Sequence, residues 1–150
     1  MRIALGADHA GVALKREVAR FLDERGISYT DFGTNSPDSV DYPDFAATVG
    51  REVAGGAFDR GILVCGSGIG MAMAANKVPG VRAAAVTDEV AARLAREHND
   101  ANVLALGGRL TSPEAARRLV DTFLDTPFEG GRHQRRVDKM SALDQAHELP

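Results

Sequence analysis

The stretch GILVCGSGIGMAMAANK, residues 61–77, carries an apolar run into a lone cysteine, then into Gly-Ser-Gly-Ile-Gly, then into a helical pattern. Glycines at 66, 68 and 70 let the backbone approach a ligand closely, and the N–H groups at the start of the following helix face outward toward negative charge. Gly66, Ser67, Gly68, Ile69 and Gly70 therefore read as an anion or oxyanion cradle, with the Ser67 hydroxyl as a further donor. Cys65 precedes that helix start, a position that favours the thiolate and so a reactive cysteine. Position alone leaves a second description open, since free cysteine is among the most buried residue types and a serine suits any turn.

A second loop, GADHAG (6–11), offers Asp8 and His9 where a strand gives way to a helix. Asp8 is placed either to cap that helix or to move protons. REHNDAN (96–102) offers His98 and Asn99 at the end of a helix, where a histidine also suits the dipole. GGRHQRRVDK (130–139) sets Arg132 and Arg136 one helical turn apart, a spacing that fits a phosphate clamp or a solvated basic face, and Arg109 follows LGG as another anion ligand. A thiol, a carboxylate, an imidazole and clustered cations describe proton transfer on a small phosphorylated molecule.

These residues need a scaffold. Runs of strand length occur at 2–6, 27–32, 61–65, 81–86 and 102–106, each bounded by Gly, Asp or Asn. Between them lie helical patterns. Leu14, Val18, Phe21 and Leu22 run to a stop at Gly26, and Phe45, Val49 and Val53 follow Pro43 and stop at Gly55-Gly56. Val90 and Leu94 mark a further helix. Ser112-Pro113 caps another carrying Leu119, Val120, Phe123 and Leu124, and a last one begins near Arg132. Alternating strands and helices imply a Rossmann-like α/β fold: a three-layer sandwich around a five-stranded parallel sheet, spanning residues 1–150 as one domain. Ligands of such sheets bind beyond the carboxyl ends of the strands where strand order reverses, commonly between the first and third strands. That rule brings Asp8 and His9 beside Cys65.

Composition removes other classes. The net charge is −3, so no general basic field draws nucleic acid. No apolar run approaches the ~20 residues of a membrane helix. One cysteine forms no internal disulfide, and MRIALGADHAGVALK lacks the apolar core and cleavage site of a signal peptide, which places the chain in the reducing cytoplasm. A P-loop needs Gly-Lys-Ser/Thr, whereas Met71-Ala72 follow Gly70. The glycines also miss the G-x-G-x-x-G dinucleotide spacing, although Asp88 stands where a ribose-binding acid belongs, leaving a nucleotide-binding module as a weaker alternative. No spacing of His, Cys and carboxylates resembles a metal site, and the chemistry needs neither metal nor redox cofactor.

GADHAG, DYPDFA, CGSGIGMAMAANKVPGVRAA, REHNDANVLALGGR and GGRHQRRV together resemble, in order and over nearly the whole chain, the RpiB branch of the ribose-5-phosphate and galactose-6-phosphate isomerase family. The resemblance implies that Cys65 shuttles a proton between the first two sugar carbons while Asp8 and His98 assist ring opening. Ser67 and the amides of Gly66 to Gly70 would hold the enediolate with Asn99 nearby, and His9, Arg109, Arg132 and Arg136 would bind phosphate. Some members use a glutamate further along the loop as base; residues 69–71 here carry no carboxylate, so the chain resembles the cysteine type. The expected activity interconverts D-ribose 5-phosphate and D-ribulose 5-phosphate, with a six-carbon sugar phosphate as the alternative substrate. His98 and Asn99 precede the fifth strand while Cys65 ends the third, so a homodimer with shared sites is expected, with dimers able to pair into tetramers.

Overall fold

A computed structural model describes residues 1–146. Five strands form one parallel sheet: β1 (Arg2–Ala7), β2 (Ser28–Asp31), β3 (Arg60–Cys65), β4 (Ala83–Ala85) and β5 (Val103–Gly107), in the order β2-β1-β3-β5-β4. The chain leaves β1 toward β2 on one side and returns to β3 on the other, so the order reverses between β1 and β3. That junction is the ligand-binding position of an open parallel sheet.

Period-two alternation assigns each strand residue to a face. Ile3, Leu5, Ile62, Val64, Leu104 and Leu106 pack with α1 (Val12–Glu24), α4 (Glu89–Glu97) and α5 (Pro113–Asp125). Ala4, Leu63, Cys65, Val103 and Ala105 face α2 (Tyr42–Ala54) and α3 (Ile69–Ala75). Both faces are covered, which is why these strands read as continuous apolar runs.

Local signals set most helix ends. The Ser112 side chain accepts from Ala115 N–H at 3.1 Å, and Pro113 opens α5, as Pro43 stands in the first turn of α2. In α4 the expected apolar face is displaced: Val90 is 56 % exposed, and Ala92, Ala95 and Arg96 are buried instead. Small residues let α4 lie close to its neighbour α5, which leaves Val90 outside. The sixth helix, α6 (Arg132–Ala146), buries little beyond His133 and Val137, and Asp144 ties it to the 76–82 segment by accepting from Gly80 N–H at 2.9 Å.

Lys15 is wholly buried on α1, a cost that only full pairing offsets. Its ammonium donates to Asp31 Oδ1 at 2.8 Å, Asn35 Oδ1 at 2.7 Å and the Thr34 carbonyl, using all three protons. It thereby anchors the segment leading from β2 toward α2.

Candidate active site

Cys65 ends β3 on the face that lies under α3, and it is 5 % exposed. The turn after it folds back sharply, so that Gly68 N–H donates to the Cys65 sulfur at 3.2 Å. Gly68 holds a φ of +79°, and a Cβ there would stand 2.9 Å from the Leu106 carbonyl carbon. Only glycine satisfies both demands. Ser67 Oγ accepts from Ile69 N–H at 3.2 Å, keeping its hydroxyl proton free to donate elsewhere.

Asp8 follows β1, the neighbour of β3, and its N–H donates to the Val64 carbonyl at 3.1 Å. Its Oδ1 accepts from Ala10 and Gly11 N–H at 3.0 and 3.1 Å, capping a short 3₁₀ turn (His9–Gly11) ahead of α1. Capping and site membership are thus compatible: one carboxylate oxygen is committed to the turn, and Asp8 also lines the cleft above Cys65. The close seating depends on Gly11, where a Cβ would fall 2.3 Å from the Val64 carbonyl oxygen. His9 turns toward the segment before α2, accepting from Val40 N–H on Nδ1 at 3.2 Å. That hydrogen bond places the proton of the neutral ring on Nε2.

The cleft, about 310 Å³, is lined by Asp8, Tyr42, Cys65, Gly66, Ser67, Gly70, Arg109 and Leu110. Arg109 N–H donates to the Gly66 carbonyl at 3.0 Å, and its guanidinium lies over Gly66. Arg109 therefore belongs to the same protomer's Cys65 loop. Within the expected cradle, Gly66, Ser67 and Gly70 line the cleft, Gly68 is buried against β5, and Ile69 is 56 % exposed. With only seven residues, α3 offers a weak dipole, and the local amides matter more. Tyr42 and Leu110 escaped the sequence reading. The DYPDFA stretch that carries Tyr42 was visible, but nothing in it shows that the ring covers Gly70, where a Cβ would meet Tyr42 Cζ at 2.8 Å.

The remaining candidates sit at the other end of the sheet. In the β3–β5 register Cys65 pairs with Gly107 and Gly61 with Val103. His98 and Asn99 precede Val103, so about 13 Å of strand separates them from their own Cys65. Buried Arg96 organises this end: Nη1 donates to Asp100 Oδ1 at 2.8 Å and the Ala101 carbonyl at 2.6 Å, and Nε donates to the Thr126 carbonyl at 3.1 Å. Arg60 lies at the same end, its guanidinium pulled down to about 10 by burial and, next, by the charge of Arg96, so it stays cationic at neutral pH. Arg132 and Arg136 lie exposed on α6. Asn99 also lines a larger cavity, about 540 Å³, with Val81, Arg82, Met140, Leu143 and Asp144 among its walls.

The fold assembles one group that the spacing did not suggest: His98, Glu129 and His133 bring three ligand atoms within 4.8 Å of one another. The two imidazoles are stacked, with ring centroids 4.3 Å apart and planes 12° from parallel. A zinc ion bound about 2.0 Å from a nitrogen of each ring lies in both ring planes. Near-parallel planes do not meet there, so this stack must turn before it chelates. Asp88, the residue suited to a ribose, caps α4 by accepting from Ala91 N–H on Oδ1 at 2.8 Å.

A parallel sheet with a cysteine and an aspartate at its strand-order reversal and a glycine-rich turn above them defines an α/β enzyme built for small anionic substrates. Residues 3–140 match the Ribose/Galactose Isomerase family model, and the chain belongs to that family. It is 47 % identical over 144 residues to ribose-5-phosphate isomerase B of Escherichia coli, covering 96 % of this chain and 97 % of that one. The D-erythrulose-4-phosphate isomerase of Pectobacterium atrosepticum is 41 % identical over 141 residues, 93 % of each chain. The solved structure of Clostridium thermocellum ribose-5-phosphate isomerase B superposes with a TM-score of 0.96 at 51 % identity, covering 98 % of this chain and 99 % of that one.

Proposed function

We propose that this chain is an aldose–ketose isomerase that interconverts D-ribose 5-phosphate and D-ribulose 5-phosphate, with Cys65 as the base. The observation that carries this reading is the seating of the Cys65 sulfur under a cleft shared with Asp8, Ser67 and Arg109. The reaction starts from the open aldose, and Asp8 and His98 serve the ring opening that supplies it. The Cys65 thiolate takes the proton from C2, and charge develops on O1. Ser67 and the backbone amides of the 66–70 turn, aided by Asn99, stabilise that enediolate; such donors contribute several kcal/mol in known oxyanion holes. The thiol returns its proton to C1 while the O2 hydroxyl proton is passed to O1, leaving a hydroxyl on C1 and the ketone at C2. No electron leaves the sugar. His9, Arg109, Arg132 and Arg136 hold the phosphate, the Nε2–H of His9 and the three guanidiniums being donors only in this state.

His98, Asn99, Arg132 and Arg136 act on the partner's Cys65 in a two-fold homodimer. The half-sites lie at opposite ends of the β3–β5 register, and each carries exposed apolar residues: Ile69, Met73 and Leu110 around the Cys65 turn, Met140 and Leu143 beside Asn99. A two-fold axis buries each set against the other and completes two sites at once. Pairing of dimers into tetramers is the further step of the same reading. No described helix is long and apolar enough to cross a membrane, and the single free thiol suits a reducing compartment, so we place the enzyme in the cytoplasm.

Ketose formation from aldose phosphates of four, five and six carbons tests the substrate. Ribose 5-phosphate is expected to give the highest kcat/KM; a higher value for a six-carbon aldose phosphate overturns the assignment of substrate, and inactivity on all three overturns the isomerase.

A further inference from the structure

Four neighbours of His133 at the start of α6 are exposed, Arg132, Gln134, Arg135 and Arg136, yet His133 itself is 7 % exposed. A buried imidazole demands partners. Its partners are two: the ring of His98, stacked at 4.3 Å, and the Glu129 carboxylate, 3.5 Å from Nε2. This meeting of distant residues is built by the backbone. Glu129 N–H donates to the Glu97 carbonyl at 3.1 Å, and Arg96 grips the Thr126 carbonyl, so the 126–129 segment is fastened to the end of α4 where His98 stands. Gly130 and Gly131, with φ of +67° and +55°, then turn the chain so that α6 begins over the His98 ring.

We propose that His133 is a positioning residue for His98: it fixes the plane of the His98 ring so that one nitrogen is aimed along one line toward the sugar ring oxygen or its hydroxyl. This rests on the reading of His98 as a ring-opening group. An imidazole at the end of a helix rotates about two side-chain bonds, and most of its orientations waste a proton transfer that needs alignment. The stack removes that freedom before substrate arrives. Glu129 in turn holds His133. Two other roles fit the geometry less well. A phosphate ligand would not be chosen with a carboxylate 3.5 Å from its nitrogen, because that charge repels the phosphate. A metal ligand pair would not be stacked face to face.

A double-mutant cycle decides the matter, with ribose 5-phosphate as substrate. His133→Ala is expected to lower kcat on the order of 10- to 100-fold, the range that misalignment costs, with KM held within about twofold. In a His98→Ala background the same change is expected to add less than about twofold, because there is no longer a ring to orient. His133→Phe keeps a flat ring without the Glu129 contact and is expected to restore kcat to within about threefold, and it also serves if the alanine variant folds poorly. An unchanged kcat in His133→Ala, a rise in KM alone, or an undiminished further loss on top of His98→Ala overturns the proposal. A folded His133→Phe as slow as the alanine variant does so too. If instead His98→Ala alone keeps full turnover, the fault lies with the ring-opening role assigned to His98, and the two failures are told apart.

Discussion

Asp8, the residue after β1, and Cys65, the last of β3, stand beside one another on adjacent parallel strands, where the Asp8 N–H donates to the carbonyl of Val64, the residue before Cys65, at 3.1 Å. The carboxylate and the thiol therefore share one cleft wall. Cys65→Ala removes the proposed base and leaves that wall, the Arg109 contact and both strands in place. Turnover of ribose 5-phosphate is expected to fall by about 10²- to 10⁴-fold, the range for a lost general base, while ribulose 5-phosphate binding by calorimetry changes less than about threefold. Near-normal turnover in the variant would remove Cys65 from the chemistry.

Arg136 lies on the exposed face of α6, one turn beyond Arg132, and neither side chain is needed for the core. Arg136→Ala is expected to raise KM by about 10- to 100-fold, as a lost charged hydrogen bond of about 1.5–3 kcal/mol implies. A smaller fall in kcat should accompany it, since phosphate binding also orients the sugar. KM values unchanged across all sugar phosphates would reduce the pair to solvated surface charge.

Because His98 and Cys65 stand at opposite ends of the β3–β5 pair, their variants should complement one another. Mixing equal amounts of Cys65→Ala and His98→Ala, each crippled alone, under verified subunit exchange puts both lesions in one site of the mixed dimer and leaves the other intact. About a quarter of wild-type activity is expected, half the molecules having one of two sites restored. No recovery would assign His98 to its own protomer's site.

Lys15 links the site to the fold at a distance. Its three acceptors lie on Asp31, Thr34 and Asn35, in the segment that runs on to Val40, the donor to His9. Lys15→Met fills the space but leaves those acceptors without their donor. A loss of about 1–3 kcal/mol in urea unfolding is expected, the cost of stranded partners, discounted because Asp31 keeps 29 % of its side-chain surface in water. A raised KM should accompany it as His9 loses its support. Unaltered stability would show that the segment holds itself in place.

Much of this protein was readable along the chain. The five strands were expected at 2–6, 27–32, 61–65, 81–86 and 102–106, and they lie within two residues of those bounds. Ser112-Pro113 and Pro43 mark helix starts as expected, and the strand order reverses between β1 and β3 beside Asp8 and Cys65. These features are local or follow from the handedness of crossovers, so neighbouring residues suffice to specify them. Side-chain partners across the fold were not readable. Tyr42 meets Gly70, Lys15 meets Asn35, and His98 meets His133 only because separate elements are packed against one sheet. Val90 looked like core and is exposed, and Asp88 caps α4. Residue type and spacing set which loops carry the candidate side chains, and the order of strands and helices set at which end of the sheet each candidate lies. Which face each helical side chain takes and which loops touch depend on the distances between elements, and only the packed sheet and its helices set those.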